Sequence, residues 1–455
     1  MKTINVTCIG AGYVGGPSMA VFAENCPDIK FTIVDKNSEK IKAWNGDINN
    51  LPIYEPGLKE IIEKTRDKNL FFSTDIDEAI LNAEIIFIAV NTPTLTEGPG
   101  AGFGADLRYI ISCAEHIAKV AKSDKIIVEK STVPIKTAEK LTEVLSKNNS
   151  KINFEILSNP EFLAEGTAIE DLRNPDRVLI GGNNSKSGQI AVKTLVDIYS
   201  NWVKKEKIIT TNLWSSELSK LASNAMLAQR ISSINSLSAL CDKTGADINE
   251  VSKAISLDHR IGKYFLNPSV GFGGSCFQKD ILNLVYLCRN YGLNEVAEYW
   301  HQVVKMNNYQ RSRFSKKIIS KLGNNLTNKT ITLYGWSFKK DTNDSRESSS
   351  IYIAIDLLNK GAKINVYDPQ TSNEIILSDI KEYSSNQSNI IDRISFIDNP
   401  YKAAKNSSCV GILTEWDEFK LLNWKKIEKI MIDEKFIIDG RYMLKDIIKE
   451  KITYL

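Results

Sequence analysis

Short apolar runs alternate with helix-like segments over the first third of the chain. The apolar runs lie at residues 4–9, 31–35, 84–90, 125–129 and 154–157. The segment 17–25 between the first two runs has helical character. Continuous apolar runs with polar ends are typical of parallel strands that are buried on both faces. The pattern therefore predicts a doubly wound parallel sheet in this part of the chain.

A glycine-rich turn follows the first predicted strand: Gly10, Ala11, Gly12, Tyr13, Val14 and Gly15. Gly10 would allow the tight turn, Gly12 the approach of a pyrophosphate, and Gly15 close packing of helix on strand. Asp35 ends the second strand about 20 residues later, where an acid binds the ribose hydroxyls of a dinucleotide. Since an aspartate at this position repels a 2′-phosphate, the turn predicts NAD as the cofactor.

Polar turns also follow the later strands of this sheet. Asn91 and Thr92 come after the run 84–90, and Ser131 and Thr132 come after 125–129. Ligands of open α/β sheets bind at the carboxyl ends of strands, so these turns are candidates for the nicotinamide side. Ordinary turn chemistry would explain the same residues. The turn that follows the run 154–157 contains Glu161, which could serve as a general base.

A long helix is predicted from residue 214 to 244, because apolar residues recur at helical spacing without an internal Gly or Pro and Gly245 follows. Such a helix could bridge two domains and provide a dimer surface. Lys220 and Asn224 are four residues apart and share one face of it. A solvated lysine is the open alternative at this point.

The segment 271–280 places a cysteine where a glycine loop becomes a helix. If the helix starts near Ser275, its N-terminus favours the thiolate of Cys276 and makes it a candidate nucleophile. Asp280 then lies on the same helical face. The segment alone leaves a buried structural cysteine equally open.

The last third repeats the strand–helix–strand layout, with predicted strands at 330–335, 363–369, 409–413 and 436–439 and a helix at 348–360. The loop 336–347 combines lysine, arginine and hydroxyl side chains, which suit a phosphorylated ligand, although a solvated charged loop is the alternative. The predicted fold is α/β, with two Rossmann-like doubly wound parallel-sheet domains joined by a helical central domain that contains the long connecting helix. The predicted domains are 1–212, 213–325 and 326–455.

Composition narrows the partners of the chain. Its 455 residues are 42% hydrophobic and 25% charged, with a formal net charge of +3. That balance argues against nucleic acid and membrane surfaces and predicts small molecules or protein chains as partners. The seven cysteines form no CxxC pair and there are three histidines, so neither a disulfide framework nor a metal site is expected. With no signal-peptide pattern at the start, we expect a cytoplasmic location.

Nine motifs occur in this order: GAGYVGGP, VNTPT, EKSTVP, LSNPEFLAEGTAI, NPDRVLIGG, WSSELSKLASNA, QRISSIN, SVGFGGSCFQKD and FKKDTNDSRESSS. Along nearly its whole length the chain resembles the UDP-glucose/GDP-mannose dehydrogenase family, and within it the animal-type enzymes that act on UDP-glucose. The resemblance implies oxidation of the C6 alcohol of UDP-glucose to a carboxylate, with two NAD used in turn and no release of the aldehyde.

The resemblance also implies roles for individual residues. Cys276 would form a thiohemiacetal and then a thioester with the sugar. Lys220 and Asn224 would stabilise the oxyanion, while Asp280 and Glu161 would handle protons and the hydrolytic water. Thr132 would position a water, so the implied catalytic residues are Cys276, Lys220, Asp280, Glu161, Asn224 and Thr132.

The implied binding residues form two larger sets. For NAD they are Gly10, Ala11, Gly12, Tyr13, Val14, Gly15, Asp35, Lys40, Val90, Asn91, Thr92, Ser131, Thr132, Glu165, Cys276 and Arg346. For UDP-glucose they are Glu161, Phe162, Leu163, Ala164, Glu165, Lys220, Asn224, Arg260, Phe265, Leu266, Asn267, Phe272, Gly273, Phe338, Lys339 and Arg441.

The family supplies Arg260 across a subunit interface, which implies a homodimer at least, with a hexamer and inhibition by UDP-xylose as further family expectations. The chain departs from the animal pattern in two places. Asn267 replaces a lysine, which puts one phosphate contact in doubt, and the chain stops at Leu455 without the longer animal tail.

Three rival functions stay open on the sequence. The same apparatus could oxidise GDP-mannose or a UDP-N-acetylhexosamine at C6. A one-step dehydrogenase of the hydroxyacid type would share the Lys220–Asn224 face and leave Cys276 incidental. A nucleotide-sugar-binding regulator without catalysis is the third, and it would not need all of the implied catalytic residues together.

Overall fold

The computed structural model describes residues 4–149, 151–384, 388–432, 435–445, 447 and 452–454. Contacts divide the chain into two compact units, Met1–Ser223 and Asn224–Leu455. The division falls inside one long helix, Leu213–Thr244. Each unit is built on a sheet of its own.

The first unit contains an eight-stranded sheet in the order β3-β2-β1-β4-β5-β6-β7-β8. Its strands are β1 (Asn5–Ile9), β2 (Lys30–Val34), β3 (Leu70–Ser73), β4 (Ile85–Ile88), β5 (Lys125–Glu129), β6 (Phe154–Ser158), β7 (Val178–Gly181) and β8 (Ile208–Thr211). Neighbouring strands are parallel except at one junction, where β6 and β7 are antiparallel with Ser158 opposite Gly181. The pair β7–β8 therefore runs against the rest of the sheet.

Helices surround this sheet: α1 (Gly15–Asn25), α2 (Ser38–Asn45), α3 (Leu58–Thr65), α4 (Ile76–Asn82), α5 (Arg108–Val120), α6 (Thr137–Asn148), α7 (Ala168–Arg173), α8 (Lys186–Tyr199) and α9 (Leu213–Thr244), with 3₁₀ turns at Ile48–Asn50 and Lys205–Lys207. Asn37, Asp75 and Ser185 accept backbone hydrogen bonds at the starts of α2, α4 and α8. Helix α9 ends before Gly245, whose φ of 81° suits a glycine C-cap, as predicted.

Alternate residues of the central strands face two separate cores. Phe31 and Ile33 of β2 belong to the cluster that contains Phe22 and Trp44, whereas Val34 belongs to a cluster on α4, α5 and α6. This is the period of two expected for a strand. Helices therefore cover both faces of the sheet, which explains the continuous apolar runs in the sequence.

The second unit begins with helices and ends with a six-stranded sheet. The helices are α10 (Ile248–Ser256), α11 (Phe277–Asn290), α12 (Asn294–Leu322), α13 (Ser349–Asn359), α14 (Asn373–Tyr383), α15 (Ser388–Ile391), α16 (Pro400–Ala404), α17 (Asp417–Leu421) and α18 (Trp424–Ile430). The strands are β9 (Thr330–Tyr334), β10 (Lys363–Tyr367), β11 (Ile394–Phe396), β12 (Cys409–Ile412), β13 (Phe436–Asp439) and β14 (Ile452–Tyr454). They are parallel in the order β11-β10-β9-β12-β13-β14.

The predicted fold class is confirmed: two parallel-sheet α/β units and a helical segment with one long helix. The three predicted domain boundaries stay a prediction. Sequence patterns missed the short strands β3, β7, β8, β11 and β14. Across the part of the chain that the structure describes, no helix has both the length and the apolar character needed to cross a membrane.

Candidate active site

The three glycines of the first turn have different surroundings. A Cβ on Gly10 would lie 2.3 Å from the carbonyl oxygen of Ala89, and one on Gly15 would lie 2.0 Å from the oxygen of Gly10. A Cβ on Gly12 would meet nothing within 4 Å. Gly10 and Gly15 are therefore required by packing, whereas Gly12 leaves space for a ligand to approach the backbone. This arrangement fits a dinucleotide pyrophosphate at the start of α1.

Asp35 follows β2 and lies beside this turn. Its Oδ2 accepts a hydrogen bond from the backbone N of Ala11 at 3.1 Å and lies 3.0 Å from Nζ of Lys40, while Oδ1 accepts from the backbone N of Asn37 at 3.0 Å. Burial would raise the pKa of Asp35, but these hydrogen bonds outweigh it and hold the pKa below its usual range. Asp35 is thus a fixed anion where ribose hydroxyls would bind.

The turns after β4 and β5 are bonded to each other. Thr92 donates from its hydroxyl to the carbonyl oxygen of Thr132 at 2.8 Å, and Ser131 donates to that of Val90 at 2.6 Å. Asn91 is exposed between them. The structure thus brings together the four residues predicted to line the nicotinamide side, with Val90 beside them, at the carboxyl end of adjacent strands.

Glu161 forms an ion pair with a buried lysine, Lys130, for which the sequence pattern predicted no role. Its Oε2 lies 2.8 Å from Nζ of Lys130, whose side chain is 2% exposed. That ammonium also donates to Oδ1 of Asn159 and to the hydroxyl of Tyr199, both at 3.0 Å. Burial lowers the pKa of Lys130, but the charge of Glu161 outweighs it and holds the pKa above its usual range. Glu161 is therefore one half of an ion pair, and its predicted part in proton transfer stays a prediction.

Phe162 lies close to two cations. The guanidinium carbon of Arg177 is 3.9 Å from the centre of its ring, and Nζ of Lys220 is 5.3 Å from it. Arg177 also donates to the hydroxyl of Ser223 at 3.4 Å, which ties it to α9. Lys220, a predicted catalytic residue, is thus buried against the ring of a predicted substrate residue.

The rest of this loop is anchored by a buried carboxylate, Glu55. It accepts backbone hydrogen bonds from Gly166 at 2.7 Å and Ala168 at 3.2 Å. Three further predicted substrate residues are half-buried or exposed on the loop: Leu163, Ala164 and Glu165. Glu55 lies more than a hundred residues earlier in the chain, and no motif marks it.

A pair of carboxyl groups, Glu129 and Glu217, is buried below the same strand ends. Glu217 accepts backbone hydrogen bonds from Lys136 at 2.6 Å and from Ala138 at 2.8 Å, at the start of α6. Burial and the charge of Glu217 raise the pKa of Glu129 well above its usual range. The surroundings of Glu129 therefore favour its protonated form, an arrangement that the sequence did not indicate.

In the second unit, Cys276 is the residue immediately before α11. Asp280 donates its backbone N–H to the carbonyl oxygen of Cys276 at 2.9 Å, which closes the first turn of the helix. All seven cysteines lie in described residues, and Cys276 alone is exposed. Burial raises the pKa of Cys8 to about 12 and that of Cys26 and Cys113 to about 11. The structure thus removes the alternative that Cys276 is a buried structural cysteine.

Asp280 is buried one turn into the helix and is bonded on both oxygens. Its Oδ2 accepts from the side-chain amide of Asn224 at 2.6 Å, and its Oδ1 lies 3.0 Å from Nζ of Lys279. Burial lowers the pKa of Lys279, but the charges of Asp280 and Cys276 outweigh it and raise the pKa. Three predicted catalytic residues, Cys276, Asp280 and Asn224, therefore belong to one local network.

The glycine loop before Cys276 is held by α12. Phe272 donates its backbone N–H to Oδ1 of Asn307 at 2.8 Å, and Asn307 donates from Nδ2 to the carbonyl oxygen of Phe272 at 3.0 Å. A Cβ on Gly273 would lie 2.7 Å from the carbonyl oxygen of Glu347. The predicted substrate residues Phe272 and Gly273 are thus fixed backbone positions.

The segment before this loop is more exposed. Phe265 has a φ of 62° and Asn267 is exposed, while Leu266 is buried. Arg260 is exposed as well, and its guanidinium lies 2.6 Å from Asp258. Of these predicted substrate residues, Phe265 reaches the start of α11, where the centre of its ring lies 6.4 Å from that of Phe277, the residue after Cys276.

The remaining predicted residues lie at the carboxyl ends of β9 and β13. Arg441 donates to the carbonyl oxygen of Phe338 at 3.1 Å, and Nζ of Lys339 is 5.8 Å from the ring of Phe338. Arg346 pairs with Asp344 at 2.6 Å. Lys339 and Arg441 therefore both lie beside Phe338 at one edge of the second sheet, where a phosphorylated ligand would be expected.

The order of the parallel strands could have indicated one of the functional residues that the sequence patterns missed. Lys130 follows β5 and Glu161 follows β6, and these strands are neighbours, so their following residues share an edge. Arg177 carried no such signal, because it precedes β7 and reaches Phe162 only through the antiparallel junction.

A dinucleotide turn with its acid, an exposed cysteine at a helix start and a second sheet with a basic edge define a nucleotide-dependent dehydrogenase. The chain belongs to the UDP-glucose/GDP-mannose dehydrogenase family. Models of the NAD binding, central and UDP binding domains of that family match residues 4–203, 214–309 and 332–446.

The chain is also similar to individual proteins over nearly its whole length. It is 55% identical to the UDP-glucose 6-dehydrogenase of Gallus gallus over 447 residues, which cover 98% of this chain and 90% of the relative. It is 54% identical to UDP-glucose 6-dehydrogenase 4 of Arabidopsis thaliana over 451 residues, 97% of this chain and 94% of the relative. The solved UDP-glucose dehydrogenase of Pyrobaculum islandicum has a TM-score of 0.85 and 29% identity, covering 99% of this chain and 97% of that one. The predicted family and the predicted NAD cofactor are confirmed.

Proposed function

We propose that this protein oxidises the C6 alcohol of UDP-glucose to the carboxylate of UDP-glucuronate and reduces two NAD for each sugar. The identity of 55% to a UDP-glucose 6-dehydrogenase supports the substrate. The exposed thiol of Cys276 at the start of α11 carries the mechanism. A four-electron oxidation by a two-electron carrier needs the intermediate to be held between the two oxidations, and a thiol can hold an aldehyde.

Residues of the first unit hold the cofactor. The turn at Gly12 receives the pyrophosphate, Asp35 with Lys40 receives the ribose hydroxyls, and the bonded turns at Thr92 and Thr132 receive the nicotinamide. Bound NAD accepts one hydride in each of the two oxidations.

Cys276 forms and breaks the covalent bonds to the sugar. After the first oxidation its sulfur adds to the C6 aldehyde, and the carbonyl oxygen takes a proton to give a thiohemiacetal. Loss of a hydride and of that proton leaves a thioester. Water then attacks the thioester carbon, the C–S bond breaks, and the sugar leaves as a carboxylate while the sulfur leaves as a thiolate.

Five polar side chains are assigned the remaining work. The ammonium of Lys220 and the amide of Asn224 stabilise the oxyanion. Asp280, Glu161 and Thr132 orient water and move protons. The bonds from Asn224 and Lys279 to Asp280 support this assignment, because they fix the direction of its carboxylate.

The substrate is held by the glycine loop, by the basic edge at Lys339 and Arg441, and by Arg260 from a second copy of the chain. We propose a homodimer or a higher oligomer in a cytoplasmic setting. Seven cysteines without a disulfide support a reducing environment.

The test counts NADH formed per UDP-glucose consumed, for the wild-type protein and for Cys276→Ala. We expect two NADH per sugar and at least a roughly 10²-fold loss of turnover in the variant, the scale for losing a covalent catalytic group. Cys288→Ala is the matched control, since Cys288 is buried on the same helix. It should keep its turnover.

Three outcomes would contradict the proposal. One NADH per sugar would exclude the thioester route and favour a one-step dehydrogenase. Faster turnover of GDP-mannose than of UDP-glucose would show that GDP-mannose is the substrate. No NADH with either sugar would favour a binding protein without catalysis.

A further inference from the structure

Lys130, Asn159, Glu161 and Tyr199 form a buried polar cluster, here called the Lys130 cluster. The ammonium of Lys130 donates hydrogen bonds to Oδ1 of Asn159 and to the hydroxyl of Tyr199, both at 3.0 Å, and forms an ion pair with Oε2 of Glu161 at 2.8 Å. Tyr199 in turn donates to Oδ1 of Asn159 at 2.7 Å. The ammonium is therefore held by two hydrogen bonds on one side and by the charge of Glu161 on the other.

Glu161 is the anionic member of the Lys130 cluster and lies at its exposed end. The side chain of Lys130 is 2% exposed and that of Glu161 is 15% exposed. The second oxygen of Glu161, Oε1, accepts the backbone N–H of Phe162 at 2.9 Å. Both oxygens are held, so the carboxylate cannot rotate, but a carboxylate offers about four acceptor sites and so can still bind a water.

Stability does not explain this arrangement. Burying an ion pair costs desolvation that its attraction often fails to repay, and an apolar replacement of the pair is frequently as stable. The cluster buries three polar side chains to orient one carboxylate that faces the loop of the predicted substrate residues. We infer that Lys130 is a positioning residue, which acts on the oxidation of the sugar by holding Glu161 in place. This inference rests on the proposed function, in which Glu161 orients the hydrolytic water.

An effect through the cofactor is the competing explanation. Lys130 is followed in the chain by Ser131 and Thr132, which belong to the turn assigned to the nicotinamide. If Lys130 acted through that turn, its loss would raise the KM for NAD. If it acts through Glu161, its loss lowers kcat and leaves the KM for NAD unchanged.

The experiment is a double-mutant cycle with Lys130→Met and Glu161→Gln in the full-length protein. Lys130→Met should lower kcat roughly 10- to 100-fold, the scale for misplacing a reacting group by about 1 Å. In the Glu161→Gln background the same substitution should lower kcat by less than about twofold, because the carboxylate that Lys130 positions is already absent. If hydrolysis has become the slow step, both single variants will release a burst of about two NADH per site.

Two further variants separate positioning from packing. Lys130→Arg keeps the charge and should recover part of the kcat lost in Lys130→Met. Lys125→Met is the matched control, because Lys125 starts the same strand β5, is also buried, and donates to the backbone oxygens of Leu81 and Ala83. It should lower thermal stability without changing kcat or the NADH burst.

Equal losses of kcat in both backgrounds, or a raised KM for NAD, would overturn the inference. If Lys130→Met does not fold, Lys130→Arg takes its place in the cycle: a loss of kcat that disappears in the Glu161→Gln background supports the inference, and an equal loss or no loss in both backgrounds overturns it. If both fail to fold while Lys125→Met folds, Lys130 is a structural residue and the inference is wrong. If the wild-type protein oxidises GDP-mannose instead of UDP-glucose, the proposed substrate fails, and the same cycle with that sugar still tests Lys130.

Discussion

For a single residue, Glu161, the sequence predicts a chemical role but does not show the charge that surrounds it. A strand-end glutamate indicates a general base, and the motif around it indicates a substrate contact. Neither shows the ammonium of Lys130 at 2.8 Å. The chemistry of a carboxylate depends on its nearest charge, and here that charge comes from a neighbouring strand.

Asp35 carries a prediction on cofactor choice. Asp35→Asn removes the charge that would repel a 2′-phosphate and frees Lys40, now 3.0 Å away, to meet that phosphate. We expect kcat/KM for NADP to rise and that for NAD to fall, each by about tenfold, which corresponds to roughly 1.4 kcal/mol. Steady-state kinetics with both cofactors measure this change.

The double variant Asp35→Asn/Lys40→Ala is the control for that prediction. It should lose the gain with NADP, because the freed ammonium is absent. An unchanged preference for NAD in Asp35→Asn would show that Asp35 does not face the ribose.

The turn between β1 and α1 carries a prediction at the scale of the element. Gly15→Ala would place a Cβ 2.0 Å from a backbone oxygen, whereas Gly12→Ala would place one in open space. Gly15→Ala should therefore lower the free energy of unfolding by about 3 kcal/mol or more. Gly12→Ala should keep its stability and weaken NAD binding by roughly tenfold, or about 1.4 kcal/mol.

Chemical denaturation and titration with NAD separate the two effects. If Gly12→Ala bound NAD as tightly as the wild-type protein, the pyrophosphate would not approach this turn. If Gly15→Ala were fully stable, the helix could move away from the strand.

The buried pair of Glu129 and Glu217 predicts a pH dependence of stability. The pKa of Glu129 is raised in the folded state, so the folded state binds more protons than the unfolded state above about pH 4.5, and stability falls as the pH rises toward the folded pKa. Glu129→Gln replaces the titrating carboxyl group by a neutral amide of similar size and removes this loss. Its stability relative to the wild-type protein should grow by up to about 1.4 kcal/mol per pH unit in that window.

Denaturant unfolding at several pH values between 5 and 8 measures the difference. Glu143→Gln, an exposed substitution on α6, is the control and should show no such trend. A difference that does not change with pH would mean that Glu129 is ionised in the folded state.

Helices and strands could be predicted from the sequence where the hydrophobic pattern extended over many residues. Some thirty residues without Gly or Pro predicted α9 to within one residue of its observed start at Leu213. Strand β8 was missed because it is a half-exposed edge strand of four residues, which is too short to show a period. Lys130 could have been inferred from strand order, but Arg177 and Glu55 depend on contacts that only the folded chain creates.

The whole molecule is the scale at which the proposed dimer can be tested. Arg260→Ala and Cys276→Ala should each be nearly inactive alone. If Arg260 serves the site of a second copy, mixed dimers contain one site with both wild-type residues. Unfolding and refolding the two variants together should therefore restore up to about a quarter of the wild-type activity, since about half of the dimers are mixed and each has one complete site.

Mass measurement in solution and an activity assay of the refolded mixture check this prediction. The control is a mixture of Asp280→Ala with Cys276→Ala, since both residues lie at the start of α11 in the same copy. Recovery in that control, or none with Arg260→Ala, would contradict a shared site.

The reversal of β7 and β8 has a consequence for how this sheet recruits its ligand-facing side chains. In a wholly parallel sheet, only residues that follow strands reach the binding edge, and those that precede strands lie at the opposite rim. Because β7 runs the other way, the residue before it, Arg177, arrives at Phe162. One change of strand direction thus lets residues that precede a strand, as well as residues that follow one, supply side chains to this edge. A redesign in which β7 ran parallel to the other strands would remove the guanidinium of Arg177 from it.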